Sequence, residues 1–472
     1  MIPAQCVVGV TSSAIQVEGA FRDDGRLEST WDTFMAQPGR IADGSNAAIA
    51  ADQYHRSAGD VQLLRELGVD SYRLSLGWPR LQPGGRGGAN RAAIAYYDRL
   101  LDDLLRAGIH TAVALHHWDV PEPLQHIGGW LNRDTASRLA DFAYLAGEAF
   151  GDRVDAWTTL TEPATVTTSG YGSGRHAPGA TLGSMLGGSV NSGPGLVSVA
   201  HHQLLGHGLA VEALRAADVR GTIGIDNVHT VVEPASDRMD DALRASLHRI
   251  VQHALYADPV LLGRYPSPSD EQRDAAPQLF DYLERVDPRD LAVMSAPIDR
   301  YGVVYRGPVR LVAGGAAGIG AGVGAGAGRV VGAGIGAGVG RVVELDADPD
   351  ALVATLRELG AHYGEALPPV VVTTGASYPD VARVPGDDTS PPNDAHRIGY
   401  LGDHLAALSD MASGAGVAGV TIAGFDIDSF LDGWDWTAGF TQPTGLVAVD
   451  RNTRDRTPKR SYRWLQQLLG GR

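Results

Sequence analysis

Cysteine, positive charge and long apolar runs are all scarce in this chain. Its single cysteine, Cys6, excludes an intramolecular disulfide and a thiolate metal cluster, and favours a reducing compartment. Lys and Arg number 39 against 55 Asp and Glu, and the net charge of −16 argues against a nucleic-acid or anionic-membrane surface. No uninterrupted apolar run reaches the roughly 18 residues that a membrane helix needs. Residues 1–6 lack a basic segment followed by an apolar run, so the sequence predicts a cytoplasmic protein without a signal peptide.

Short β-branched segments alternate with longer amphipathic ones along the chain, as is typical of parallel strands joined by helical crossovers. The segments expected to be strands are 7–11, 71–76, 111–115, 156–160, 221–228, 291–294, 370–373 and 417–425. Eight such strands predict a single α/β domain, a (β/α)8 TIM barrel comprising residues 1–472. The turn after the first segment has neither a dinucleotide-binding nor a P-loop pattern. We therefore expect no cofactor, and the sequence suggests no metal site.

Residues 313–340 do not fit this alternation, because almost half of them are glycine and the rest are mostly alanine and valine. Such a segment loses much backbone entropy on ordering and has few side chains to bury. The sequence predicts a flexible, repeat-expanded loop inserted before the seventh strand. A second interpretation is a lid over the barrel mouth, because loops at that end carry function in barrels.

Several motifs occur in order over nearly the whole chain. They are TSSAIQVEGA (11–20), STWDTF (29–34), YRLS (72–75), WPR (78–80), LHHWDVP (115–121), GGWLN (128–132), TLTEP (159–163), GYGSGRHAPG (170–179) and SFLDGWDW (429–436). Together they resemble the family-1 glycoside hydrolases of the β-glucosidase type. The resemblance implies a barrel that binds a small-molecule glycoside at the carboxyl ends of its strands.

The resemblance also implies roles for individual residues. Glu162, within TLTEP, would be the general acid that protonates the leaving group. An amide, an imidazole and a carboxylate can read vicinal sugar hydroxyls, and an indole can cover an apolar sugar face. The residues expected to bind the substrate are Gln16, His117, Trp118, Thr161, Asp435 and Trp436. Asp435 is one methylene shorter than the glutamate usual in the family.

Four departures from the family pattern fall where the chemistry would occur. Thr374 stands at the expected position of the carboxylate nucleophile, and Thr161 replaces the asparagine before the acid. Residues 295–297 (Ser-Ala-Pro) replace the Asn-Tyr-Tyr that usually ends the sixth strand, and Asp428 replaces a tryptophan under the sugar. A retaining glycosidase needs two carboxylates, one as acid and one as nucleophile. The sequence therefore predicts a protein that forms no covalent glycosyl-enzyme.

The two aspartates on the eighth strand have two interpretations. Asp428 could activate a water, giving acid–base chemistry of the inverting type with Glu162. Alternatively, Asp426 or Asp428 supplies the counter-charge for Arg73, which would otherwise pair with the missing nucleophile.

Four functions follow from these expectations. The first is a divergent enzyme that acts on a glycoside or a glycoside-like metabolite with Glu162 as acid. The others are a non-catalytic sugar-binding protein, an ordinary hydrolase with a displaced second carboxylate, and a tailoring or cyclising enzyme of secondary metabolism.

Overall fold

The computed structural model of the protein describes residues 6–183, 195–312, 341–375, 392–412 and 419–471. Eight parallel strands close into a barrel in which every strand pairs with its neighbours in chain order, and the eighth pairs with the first. These barrel strands are Val7–Thr11, Ser71–Ser75, His110–His116, Ala156–Thr161, Thr222–Val228, Arg300–Tyr305, Val370–Thr374 and Ile422–Asp428. The predicted (β/α)8 TIM barrel is confirmed.

Helices surround the barrel and cover the apolar outer face of its strands. The α-helices are Ala14–Val17, Thr30–Met35, Gln53–Leu67, Trp78–Leu81, Arg91–Arg106, Glu122–His126, Asp134–Phe150, Pro163–Thr165, Gly195–Ala216, Met239–Arg249, Leu255–Leu262, Asp270–Ala275, Pro277–Leu283, Pro288–Met294, Pro349–Tyr363, Ala395–Ala412 and Arg460–Gly470. Short 3-10 helices lie at Gly129–Leu131 and Gly364–Ala366, and π-helical turns at Val166–Gly172 and Ile250–Ala254. No helix among the described residues is long and apolar enough to cross a membrane.

The sixth strand was predicted in the wrong place. Residues 291–294 belong to the helix Pro288–Met294, which starts because the Asp287 side chain accepts a hydrogen bond from the Arg289 N–H at 2.9 Å and proline occupies the first helical position. The strand is Arg300–Tyr305, which its arginine and glycine made hard to recognise. The strand therefore ends at Tyr305 and is followed by Arg306, whereas residues 295–297 were expected to end it.

The Gly/Ala-rich insertion 313–340 lies outside the described residues, and its predicted role as a loop or lid stays a prediction. Its two flanks are described. Strands Val309–Val312 and Arg341–Glu344 pair antiparallel, and the first of them also pairs with Val232–Glu233. This small sheet follows the carboxyl end of the sixth barrel strand. The two described flanks of the insertion therefore follow the carboxyl end of the sixth strand. A second small sheet pairs Val447–Val449 with Arg456–Pro458.

Charged side chains meet inside the barrel, whereas most outward side chains are apolar. Arg73 on the second strand hydrogen-bonds Asp226 on the fifth. These strands are not neighbours, so their side chains meet only across the lumen. Arg300 on the sixth strand donates to Thr158 on the fourth and lies 3.7 Å from Asp226. The barrel interior is thus closed by an ion network in place of a purely hydrophobic core.

Acid should unfold the protein through its buried histidines. Burial lowers the pKa of His116, His207 and His229 to about 3, although His207 contacts the Thr159 hydroxyl at 2.6 Å. Between pH 6.5 and 3 the unfolded chain binds protons that the native state does not, so the free energy of unfolding falls as pH is lowered. Each histidine should cost about 2 kcal/mol between pH 6.5 and 5.

Urea unfolding at pH 7 and pH 5 measures this effect. The variant His207→Gln should lose that share of the pH dependence, whereas His110→Gln, at a side chain that is 67% exposed, should keep all of it. Equal pH dependence in both variants would contradict the assignment.

Candidate active site

Glu162 lies at the carboxyl end of the fourth strand, where the backbone turns into the short helix Pro163–Thr165. Its φ of 49° is unusual for a residue with a side chain, and such strain is often found at functional sites. The side chain is buried. Its Oε2 accepts a hydrogen bond from the Thr165 hydroxyl at 3.1 Å, and its Oε1 accepts one from Arg306 Nη2 at 2.7 Å. The predicted acid is therefore held on both oxygens inside the barrel mouth.

Arg306 links Glu162 to Asp428. Its Nη1 lies 3.3 Å from Asp428 Oδ2, and the other Asp428 oxygen accepts a hydrogen bond from the Thr11 hydroxyl at 2.9 Å. Side chains at the ends of the fourth and eighth strands thus meet at the Arg306 guanidinium, and Thr11 on the first strand supports Asp428. Glu162 and Asp428 thus contact the same side chain at the barrel mouth. Arg306 was not recognised from the sequence because residues 291–294 were predicted to be the sixth strand, although the N-cap residue Asp287 marks the start of a helix there.

The charges in this cluster reinforce one another. Partial burial alone would raise the pKa of Asp428, but Arg306, His117 and the Thr11 hydroxyl outweigh it, and the pKa lies below its usual range. The Glu162 carboxylate raises the pKa of Arg306 above its already high value. Asp428 is therefore ionised at neutral pH and can act as a hydrogen-bond acceptor or a weak base.

Thr374, which was expected at the nucleophile position, does not face the lumen. Its hydroxyl donates to the Tyr305 carbonyl at 2.8 Å and contacts the Tyr400 hydroxyl on the surrounding helix. Side chains alternate along a strand, so the inward position is Thr373. There, Thr373 Oγ1 accepts a hydrogen bond from Arg73 Nη2 at 3.2 Å. A threonine still occupies the position beside Arg73, one residue earlier than expected.

Aromatic rings form one wall of the site. Trp436 packs against Trp118 with ring centres 4.6 Å apart, and against His117 at 5.7 Å in a nearly parallel arrangement. The Trp118 indole N–H donates to the Thr161 carbonyl at 3.0 Å, which ties this wall to the strand that carries Glu162. Burial lowers the pKa of His117 to about 3, with a smaller contribution from Arg73. A neutral imidazole can both donate to and accept from a sugar hydroxyl.

Gln16 and Asp435 each already use one side-chain oxygen in a local hydrogen bond. Gln16 Oε1 accepts a hydrogen bond from the Ser13 hydroxyl at 2.7 Å, so its amide N–H groups are what it can present to a ligand. Asp435 Oδ1 accepts the backbone N–H groups of Thr437 and Ala438 at 3.0 and 2.8 Å. The shorter carboxylate thus caps its own turn with one oxygen, and its role at the sugar stays a prediction.

Comparisons with known proteins agree with this geometry. The model of glycosyl hydrolase family 1 matches residues 1–471. This chain belongs to glycosyl hydrolase family 1. It is 32% identical to β-glucosidase A of Acetivibrio thermocellus over 99% of this chain and 98% of that one, and 35% identical to thermostable β-glucosidase B of Thermobispora bispora over 99% and 90%.

Solved structures give the same result. The family 1 β-glucosidase of Thermotoga maritima superposes with a TM-score of 0.83 at 29% identity, over 99% of this chain and 97% of that one. The GH1 β-glucosidase of Exiguobacterium antarcticum B7 superposes with a TM-score of 0.84 at 30% identity, over 100% and 99%. The likeness to glycosyl hydrolase family 1 spans the whole barrel.

Arg73 has counter-charges in this family member. Besides Asp226, the Asp426 carboxylate lies 3.5 Å from Arg73 Nε. The expectation that an aspartate on the eighth strand would pair with Arg73 thus agrees with the geometry at Asp426, whereas Asp428 pairs with Arg306. Burial raises the pKa of Asp426, and Arg73 and Arg300 oppose that rise only in part. The sequence analysis missed Asp226, because a single aspartate in the fifth strand carries no motif.

Removing the charge of Asp226 should destabilise the barrel. Asp226→Asn leaves Arg73 and Arg300 with too little compensating charge in a buried site, at a cost of about 3–5 kcal/mol in the free energy of unfolding. Denaturant unfolding monitored by circular dichroism measures the loss. Asp240→Asn, at a side chain that is 71% exposed, should stay within about 0.5 kcal/mol of the parent protein. Similar stability of both variants would show that the lumen network does not hold the barrel together.

Proposed function

We propose that this protein is an enzyme that acts on a glycoside or a glycoside-like small molecule, with Glu162 as general acid and without a covalent glycosyl-enzyme. The observation that supports this proposal is which residue types stand at two strand ends at the barrel mouth. A buried carboxylate remains at the end of the fourth strand, while the position beside Arg73 on the seventh strand is a threonine. Membership of glycosyl hydrolase family 1, with relatives named β-glucosidases, supports glycoside chemistry.

Thr373 is a poor replacement for a carboxylate nucleophile. A threonine hydroxyl needs a general base to attack, and its neighbour here is the Arg73 guanidinium, which donates a hydrogen bond to it and removes no proton. Attack would also leave an ordinary alkyl glycoside, which water would not readily release. The retaining double displacement therefore has no nucleophile at this position.

Asp428 supports a single-displacement alternative. Its side chain is 27% exposed at the mouth, and it is held by Arg306 and Thr11 in an ionised state. A water next to it could attack the anomeric carbon while Glu162 protonates the leaving oxygen, which is the inverting arrangement. The attacking group could also belong to the substrate itself, in place of the water. The same acid would then support a cyclising or tailoring reaction.

One observation favours the second candidate, a sugar-binding protein without catalysis. Arg306 forms an ion pair at 2.7 Å with the Glu162 carboxylate, so the residue that would have to protonate the leaving group already has a partner. In that function the aromatic wall of Trp118 and Trp436 would hold the glycoside, and Glu162 would only anchor Arg306.

Replacing the acid separates the two candidates. Glu162→Gln keeps the size of the side chain but cannot deliver a proton, so turnover of the true substrate should fall about 10²–10⁴-fold while the protein still binds its ligand. Steady-state kinetics, calorimetric affinity and melting temperature are measured on the same preparation. Glu233→Gln, an exposed carboxylate paired with Arg310, is the matched control and should behave as the parent. Unchanged turnover in the Glu162→Gln variant would leave the binding protein as the better candidate.

Restoring a carboxylate at the nucleophile position should not be enough to restore retaining chemistry. In Thr373→Glu, the new carboxylate joins Asp226 and Asp426 around Arg73, so negative charge is in excess and the acid is disfavoured as an anion. We expect aryl β-glucosides to be turned over slowly, without a burst, in the parent and in this variant. The double variant Thr373→Glu with Asp426→Asn keeps the charge count and should be faster than the single one by about tenfold.

A fluorinated mechanism-based glycoside and mass spectrometry provide the readout. A covalent adduct should appear at residue 373 in the double variant, and Thr373→Gln with Asp426→Asn is the uncharged control. An adduct at any carboxylate of the parent protein would overturn the proposed mechanism.

A further inference from the structure

Arg306 is the cation that contacts Glu162, the predicted acid of the candidate site. Charged side chains that face the mouth or the lumen below it are Glu162, Asp428, Arg306, Arg73, Asp226, Asp426 and Arg300. Within this described set, Arg73 and Arg300 are buried beneath the pocket, whereas the Arg306 side chain is 41% exposed. The neighbouring histidines, His117 and His176, are kept neutral because burial lowers the pKa of each to about 3. Arg306 is therefore the accessible positive charge in this group.

The position of Arg306 conflicts with catalysis on a neutral glycoside. Its Nη2 lies 2.7 Å from Glu162 Oε1, so the guanidinium already occupies the carboxylate that would have to reach the glycosidic oxygen. A neutral substrate has no group that competes with a carboxylate for a guanidinium. An anionic group does compete, because charge-assisted pairs with arginine are the strong ones.

We propose that Arg306 is a specificity-determining residue, and that the substrate carries an anionic group, such as a carboxylate, close to its glycosidic oxygen. The anion would lie on the sugar ring or on the first atoms of the aglycone, since Arg306 touches the same Glu162 carboxylate that must reach the glycosidic bond. This inference rests on the proposed function, because it names the substrate class of that same site.

The charge count allows such a substrate to bind. At rest the cluster of Arg306, Glu162 and Asp428 carries one net negative charge, from one guanidinium and two carboxylates. When the substrate anion takes the place of Glu162 on Arg306 and Glu162 takes up one proton from solvent, the cluster again carries one net negative charge. The same exchange gives Glu162 the proton that it delivers to the leaving oxygen. The large negative charge of the whole chain acts weakly here, since salt screens charges beyond about 8 Å at physiological ionic strength.

Three matched ligands test the proposal by calorimetric binding to the Glu162→Gln protein and to the parent. Phenyl β-glucoside is neutral, phenyl β-glucuronide carries the anion on the sugar, and 2-carboxyphenyl β-glucoside carries it on the aglycone beside the glycosidic oxygen. In the parent, at least one anionic ligand should bind about tenfold or more tightly than the neutral one. The anionic ligand that binds more tightly shows whether the anion of the substrate lies on the sugar or on the aglycone.

Variants at Arg306 assign the preference to its guanidinium. Arg306→Gln should remove the preference for the anionic ligand, and Arg306→Lys, which keeps the charge but not the planar fork, should retain part of it. Arg310→Gln removes an exposed charge from the following strand and should leave the preference intact. Melting temperatures show that each variant is folded; if Arg306→Gln is not, the Lys variant carries the comparison.

The proposal is overturned if neutral and anionic ligands bind the parent equally, or if Arg306→Gln weakens all three to the same degree. These outcomes are distinct from a failure of the proposed function. Should Glu162→Gln leave turnover unchanged while the anionic preference depends on Arg306, the catalytic role of Glu162 fails and the specificity assignment stands.

Discussion

The contact between Arg73 and Asp226 across the barrel lumen is the constraint on which the rest of the site depends. A guanidinium buried among eight strands is costly unless it is paired, and Asp226 comes from a strand three places away around the barrel. Because Asp426 and Thr373 also contact Arg73, the seventh and eighth strands are positioned by the same side chain. The carboxyl ends of those strands carry the pocket, so the lumen network sets the positions of the groups above it.

Arg306 repeats this principle one layer higher. It joins Glu162 on the fourth strand to Asp428 on the eighth, as Arg73 joins the fifth strand to the eighth below. The two layers differ in exposure. Arg73 is sealed in the lumen and serves the fold, whereas Arg306 is reachable from the mouth and can exchange partners with a ligand. The same pairing chemistry therefore has a structural role in one layer and a recognition role in the other.

The fold could be predicted from the sequence because the barrel repeats a strong pattern, in which seven of the eight strands were found near their positions. The sixth strand failed because its inward residue is Arg300, so the segment lacks the apolar character expected of a barrel strand. That single error moved the end of the strand and hid Arg306. The expected position of Thr374 differs from the structure for another reason. A shift of one residue along a strand moves a side chain from the lumen to the layer of helices. Motif order predicts which strand end carries a function, but only geometry shows which of two adjacent threonines faces inward.

The charged residues at the mouth balance one another as a set. Thr373 beside Arg73 brings no charge to the lumen, and Asp426 lies within ion-pair distance of the same guanidinium. Above it, Arg306 at the end of the sixth strand adds a positive charge, and Asp428 at the end of the eighth adds a negative one. Each of these charges would be unfavourable alone, since it would be poorly paired in a confined space. Together they keep the pocket close to charge balance, with an ion pair at the mouth that the proposed anionic ligand can open. A pocket charged in this way suits the proposed recognition of an anionic glycoside.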